Sequence, residues 1–170
     1  MTSSNHQSIL KTISIIRIAM VSIALFVVTV SHANNDYIPK SIDINRADTT
    51  VFIALPGIGS KLASRIVNYR EKLHGFHSVE QVAEVFGLAD STFQKIKPWL
   101  VINDTVIAKI NINTANSDDL KTPYISYNLA NAIYQYRLQH GSFTSLEDLK
   151  KIMLVSDAVF NKIIPYLTIG

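Results

Sequence analysis

Cysteine is absent from this chain of 170 residues. That excludes disulfides, a cysteine nucleophile and thiolate metal sites, and nothing in the length demands such staples. A large excess of one charge is also missing. Sixteen basic side chains face thirteen acidic ones, a formal net charge of +3. Any polyanion binding must therefore depend on where the charges lie, not on their sum. Metal-binding and catalytic constellations are scarce too. His74, His77 and His140 have no carboxylate or thiolate neighbours at ligand spacing. The acid pairs Asp118-Asp119 and Glu147-Asp148 stand at expected helix starts, where the helix dipole accounts for them. No Ser-His-Asp set can be assembled. The expectation is a protein with no catalytic residue, no cofactor and no metal, hence not an enzyme. Strand-like alternation is equally rare, and residues 105–112 are the only extended candidate.

One long apolar run is present. Arg17 precedes Ile18 to Val30, interrupted only by Ser22 and Thr29, and Ser31-His32-Ala33 follows. A charged start, an apolar segment and a small-x-small exit describe a secretory signal peptide over residues 1–33, cleaved after Ala33. The alternative is an uncleaved inner-membrane anchor. Ile13 to Val30 just suffices to span a bilayer, but Arg17 would then sit in hydrocarbon at a cost of a few kcal/mol. Cleavage removes Lys11 and Arg17 and no acid, leaving a net charge of +1. The product would be periplasmic or secreted, with no membrane span.

The rest is a duplication. A segment of about sixty residues occurs twice. Ile44-Asn45-Arg46-Ala47 returns as Ile112-Asn113-Thr114-Ala115, and Phe93, Lys95, Ile96, Pro98 and Leu100 return as Phe160, Lys162, Ile163, Pro165 and Leu167. The organisation expected is a polar leader at 34–41, a first module at 42–102, a linker at 103–109 and a second module at 110–170. In the first module Asp48 caps a helix running through Leu55 and broken by Pro56-Gly57. A longer helix starts near Ser60 with Leu62, Ala63, Ile66, Val67 and Arg70 at helical spacing, and His74-Gly75-Phe76 ends it. Ser78-Val79-Glu80-Gln81 is a capping box for a third helix that stops near Gly87. Asp90 caps a fourth, ending at Lys97 before Pro98. The second module follows the same plan, with Ser145 opening its third helix. Phe76, Val79, Val82, Val85, Phe93, Ile96 and Leu100, with their counterparts Phe143, Leu146, Leu149, Ile152, Phe160, Ile163 and Leu167, form the expected core. The fold class is all-α.

The chemistry concentrates in Pro56-Gly57-Ile58-Gly59-Ser60-Lys61. Two glycines around one apolar residue allow a tight turn that exposes successive N–H groups at a helix start, a ready site for a phosphate oxygen. Ile58 would anchor the turn in the core, while Lys61 could reach the same phosphate. Lys61, Arg65, Asn68 and Lys72 then share one helix face, a stripe able to follow a nucleic-acid backbone or simply to meet solvent. The second copy has Pro123-Tyr124-Ile125-Ser126 at the turn and Asn128, Ala132, Gln135 and Gln139 along the stripe, so glycines and charges are both gone. Lys97 is a further basic candidate, because Ile164 replaces it in the second copy. Arg70 and Arg137, retained in both beside Tyr69 and Tyr136, read as structural. Tyr124, Tyr127, Tyr134, Tyr136 and Tyr166 crowd the second module, where they either serve a protein interface or pack internally.

Ile44-Asn45-x-Ala47, Leu55-Pro56-Gly57-Ile58-Gly59, Ile66, Tyr69-Arg70, Phe76-x-Ser78-Val79-Glu80 and Pro98-x-Leu100 closely resemble the helix-hairpin-helix module of the ComEA competence proteins, exported DNA receptors of natural transformation. The resemblance covers residues 42–102 well and 110–170 in degenerate form. It implies two tandem helix-hairpin-helix modules of the SAM/HhH type behind a signal peptide. It also implies sequence-non-specific binding of double-stranded DNA through backbone phosphates, with Gly57, Ile58, Gly59 and Lys61 at the hairpin; the residue pattern itself adds Ser60, Arg65, Lys72 and Lys97 to the DNA-binding candidates. At the second hairpin, Gly87-Leu88-Ala89-Asp90 keeps one glycine and adds an acid. Two readings stand beside each other: DNA uptake, or a non-DNA envelope protein–protein interaction module resembling the extrinsic U subunit of photosystem II, with a protein partner at the tyrosine-rich second module. A DNA-repair enzyme of this fold conflicts with the export signal and the missing catalytic groups.

Overall fold

A computed structural model of the chain describes residues 40–103 and 107–170. The signal-peptide segment, most of the polar leader and part of the linker lie outside the described residues. Each module begins and ends in a two-residue strand, and the two strands pair in parallel. In the first module β1 (Ile42–Asp43) pairs with β2 (Leu100–Val101), Ile42 opposite Leu100. In the second, β3 (Ile110–Asn111) pairs with β4 (Leu167–Thr168), Ile110 opposite Leu167. These clasps correct the all-α expectation. Two residues are too few to show alternation, and a parallel pair needs a long crossover, which here is the entire module. Among the described residues of the extended candidate at 105–112, β3 is the only strand.

Between the strands the helices follow local chemistry. Helix α1 (Thr49–Ile53) is capped by Asp48, whose carboxylate accepts from the amides of Thr50 and Val51. Helix α2 (Ser60–Leu73) buries Ala63, Ile66 and Leu73 and ends at His74 in the left-handed region, φ 64°. The Gly75 amide then donates to the Arg70 carbonyl at 2.9 Å and closes the end. The third helix is tighter than expected, a 3-10 turn over Val79–Glu84 held by the Ser78/Gln81 capping box. Helix α3 (Asp90–Ile96) starts after Ala89, so Ala89 and not Asp90 is the capping position, and no side chain caps it. A second short 3-10 turn, Lys97–Trp99, leads into β2.

The second module departs from this plan at its start. Residues 117–120 form a turn, not a counterpart of α1. Asn116 closes it by accepting from the amides of Asp118 and Asp119. Helix α4 (Tyr127–His140), the 3-10 turn Leu146–Lys151 and helix α5 (Asp157–Ile163) then repeat the order of the first module.

Every expected core position is buried except Val79 and Leu146, which are half-buried in register with each other. Each module has its own apolar cluster, with one exchange: Tyr166, 1% exposed, is packed into the core of the first module. Further contacts join the modules. Gln81 Nε2 donates to the hydroxyls of Tyr124 and Tyr166 at 2.8 and 2.6 Å. Lys162 lies 3.5 Å from Glu84 of the first module and, within its own module, 5.1 Å from the centroid of the Tyr124 ring. Burial pushes the Tyr124 phenol up to about 12.

Candidate nucleic-acid interface

The turn between α1 and α2 is built on one glycine, not two. Gly57 has φ +83°, and a Cβ there would stand 3.1 Å from Thr92 Cγ2 in the first turn of α3. Its lack of a side chain serves both conformation and close packing. Ile58 is 4% exposed and its amide donates to the Leu55 carbonyl, so the turn is pinned to the core as expected. Gly59 is different. Its φ is −88°, which any residue adopts, and a Cβ there would meet nothing within 4 Å. What Gly59 supplies is bareness at the capping position.

The consequence is visible against the second module. Helix α2 has no side-chain cap and no acid in its first turn. Its first amides carry the positive end of the helix dipole with no side-chain acceptor of their own. Helix α4 starts at Ser126, whose hydroxyl accepts from the Leu129 amide at 3.4 Å. Helix α5 starts at Ser156, whose hydroxyl accepts from Val159 at 3.3 Å, whereas α3 starts at Ala89 with no cap. Both α-helix starts of the second module are closed by its own serines; their counterparts in the first, at α2 and α3, are bare, while α1 keeps its Asp48 cap. The altered turn is held by Thr122, whose hydroxyl accepts from the amides of Tyr124 and Ile125.

The basic candidates divide into three groups. Ser60 and Lys61 are exposed at the bare helix start, and among the described residues Lys61 and Lys72 are in no ion pair. Arg65 is exposed but engaged: its Nη1 donates to the Phe86 carbonyl at 3.2 Å, and its guanidinium lies 5.1 Å from the Phe86 ring centroid. A Cβ at Gly87 would collide with that guanidinium. Arg65 therefore ties the second hairpin turn to α2, a role its position in the stripe did not reveal. Lys72 lies near the other end of α2, beside a surface hollow of about 360 Å³ shared with His74, Lys121, Thr122 and Pro123. Lys97 is engaged elsewhere: its Nζ lies 3.2 Å from Glu80 and 5.9 Å from the centroid of the Phe93 ring. Glu80 is held below the usual carboxylate range by its own backbone amide and by Lys97.

Two framework positions explain motifs shared by the two copies. Arg70 Nη1 donates to the carbonyls of Ile44 (3.2 Å) and Ala47 (2.5 Å), and Arg137 Nη1 to that of Ile112 at 2.6 Å. Both arginines are structural, as expected, though they hold the entry turn and not the end of their own helix. Asn45 brackets Phe76, accepting from its amide at 2.7 Å and donating to its carbonyl at 2.9 Å. Asn113 does the same to Phe143 at 2.8 and 3.0 Å. Sequence reasoning gave Asn45 no role, although its retention in both copies was a usable signal. Gln81 was seen only as half of a capping box.

Paired hairpins of this kind, closed by a strand clasp and repeated in tandem, define a double helix-hairpin-helix protein. A family model described as the helix-hairpin-helix motif matches residues 39–101 and again 106–168, and the chain belongs to that family. It is similar to endonuclease/exonuclease/phosphatase family domain-containing protein 1 of Xenopus laevis, 30% identical over 146 residues, covering 73% of this chain and 26% of that protein. An uncharacterized protein of Haemophilus influenzae is 39% identical over 65 residues, 38% of this chain and 58% of that protein. ComE operon protein 1 of Bacillus subtilis is 30% identical over 61 residues, 36% of this chain and 30% of that protein. The chain spans about a quarter of the length of the relatives it matches across both modules. No solved structure gives a significant match. Within its family the chain is a ComEA-like helix-hairpin-helix protein. Among the described residues no helix is long and apolar enough to cross a membrane.

Proposed function

We propose that this is an exported, non-enzymatic protein that binds double-stranded DNA without regard to sequence and holds it during uptake for natural transformation. One observation carries the reading: α2 starts at a bare glycine, whereas its duplicate starts at a self-capping serine. A phosphate oxygen fits the amides of the first and is forestalled in the second. Gly57 and Ile58 hold the turn, Gly59 keeps it open, Ser60 and Lys61 flank the phosphate, and Lys72 meets the backbone further along. Arg65 contributes by placing the second hairpin, while Lys97 would first have to release Glu80. Contacts of this type read the sugar-phosphate rail and leave the base sequence unread.

The relatives named for a nuclease-family domain share about a quarter of their length with this chain. We take the shared part to be nucleic-acid-binding modules. Docking of an envelope protein through the second module draws less support, because Tyr124 and Tyr166 are committed to the first module. The test is Gly59→Ser, which would install in α2 the cap that α4 carries. We expect gel-shift affinity for a 30-base-pair duplex to fall about tenfold while the protein becomes marginally more heat-stable, as a serine cap exceeds a glycine one by about 0.3 kcal/mol. Unchanged DNA affinity in that variant and in Lys61→Ala would refute the reading.

A further inference from the structure

The second hairpin turn of the first module carries a side chain that neither the fold nor the phosphate grip requires. Phe86 is 82% exposed. Its position is nevertheless fixed. The Arg65 guanidinium stands over the ring and binds the Phe86 carbonyl. Gly87 follows at φ +85°, where a Cβ would collide with the Arg65 guanidinium and touch Leu62 Cδ2 at 3.9 Å. Leu62 and Arg65 belong to the first two turns of the helix that starts at the bare Gly59, so the ring is tethered beside the proposed phosphate grip.

The charges around this turn say what it could contact. Asp90 occupies the first turn of α3, two residues beyond Leu88, and its carboxylate accepts from Gln94 Nε2 at 3.2 Å. An acid there disfavours a second phosphate. What remains is an aromatic face backed by a cation, the arrangement on which nucleobases stack. The duplicate lacks it: Met153, 95% exposed, takes the place of Phe86, and Ala132 takes that of Arg65.

We propose that Phe86 stacks on a nucleobase, either of an unpaired strand or of an unstacked step in a duplex, while the neighbouring turn holds phosphate. The inference rests on the DNA-binding reading and adds a base contact to it. The full chain would be titrated with three probes carrying 2-aminopurine: a paired duplex, the same duplex with the base in a one-nucleotide bulge, and the single strand. The native chain should change the fluorescence of the bulged or single-stranded probe and bind it about tenfold more tightly than Phe86→Leu does. Phe86→Leu should lose the fluorescence change, Phe86→Trp should retain it, and Gly59→Ser should weaken all three probes alike. Response of the bulged duplex identifies an unstacked step as the source of the base; response of the single strand alone identifies an unpaired strand. If native chain and Phe86→Leu bind every probe equally and give the same fluorescence, the stacking inference is overturned and DNA binding stands. If the native chain binds none of the probes at low salt, both fail.

Discussion

Replacing Gln81 by Ala should be among the most damaging single changes at the junction of the two modules. Its amide is fully used. Oε1 accepts from the backbone amides of His77 and Ser78 at 2.5 and 2.9 Å, while Nε2 donates to the hydroxyls of Tyr124 and Tyr166. Each net hydrogen bond contributes about 0.5–1.5 kcal/mol, and a helix cap is worth about 1 kcal/mol. Water can replace part of what is lost at the half-buried Tyr124 and at the exposed His77 amide. The expected loss is therefore about 2–4 kcal/mol, a large share of the 5–15 kcal/mol typical of a folded domain. Trp99 is the only tryptophan and packs against the first core, so its fluorescence reports urea unfolding of that module directly. Gln81→Glu is the control. A carboxylate still accepts from both amides, and the two hydroxyls can turn to donate to it, so its loss should stay below about 1 kcal/mol. If Gln81→Ala costs less than about 0.5 kcal/mol, the amide is not the link between capping box and tyrosines described above.

Asn45→Ala should cost about 2–3 kcal/mol, because the amide and carbonyl of Phe76 both lose their partner; thermal unfolding of the variant measures it. Asp148 gives a pH dependence. Lys151, at 2.6 Å, the Thr144 hydroxyl and the amides of Ser145 and Thr144 hold its carboxylate well below the ordinary aspartate range. Its contribution is full above the unfolded value near 3.8, and it declines as the pH falls from there through the lowered folded value. Asp148→Asn should therefore be less stable than the native chain near pH 6, with the gap closing in acid unfolding curves between about pH 4 and pH 2. For DNA, about three to five phosphate contacts give a log–log salt slope of roughly −2.7 to −4.5, measured by fluorescence anisotropy between about 50 and 200 mM salt. A slope near zero would rule out backbone phosphates as the contact.

The helical frame was legible because its signals are local. Asp48, the His74-Gly75 end of α2 and the Ser78 and Ser145 boxes each depend on residues within a few positions. The clasps were not, since each joins residues nearly sixty positions apart through two-residue strands too short to leave a pattern. The missing counterpart of α1 was hidden for the opposite reason: Asn116 and the Asp118-Asp119 pair look like a helix start, yet the segment closes on itself as a turn. At the candidate site the sequence marked Gly57 and Gly59 as equivalent, and only backbone geometry separates a conformational glycine from a bare cap. Arg65 looked like part of a solvent-facing stripe because spacing places a side chain on a face without saying which neighbour it bends toward.

The duplicate also explains how one module can keep its ligand surface bare. Beside a serine cap, alanine costs about 1 kcal/mol and glycine about 0.3 kcal/mol, and the first module carries one of each, at Ala89 and Gly59. The second module has closed its own starts with Ser126 and Ser156, and it sends Tyr166 into the first module's core. Burying an aromatic side chain of that size contributes about 2–3 kcal/mol, enough to offset both missing caps. Tyr166→Phe should leave most of this in place, since the ring stays, whereas Tyr166→Ala should lower stability by about 3–5 kcal/mol and broaden the unfolding of the first module. The same ring in a polar setting would do nothing of the kind. If Tyr166→Ala leaves the unfolding midpoint read by Trp99 unchanged, the second module does not support the first, and its retention needs another cause.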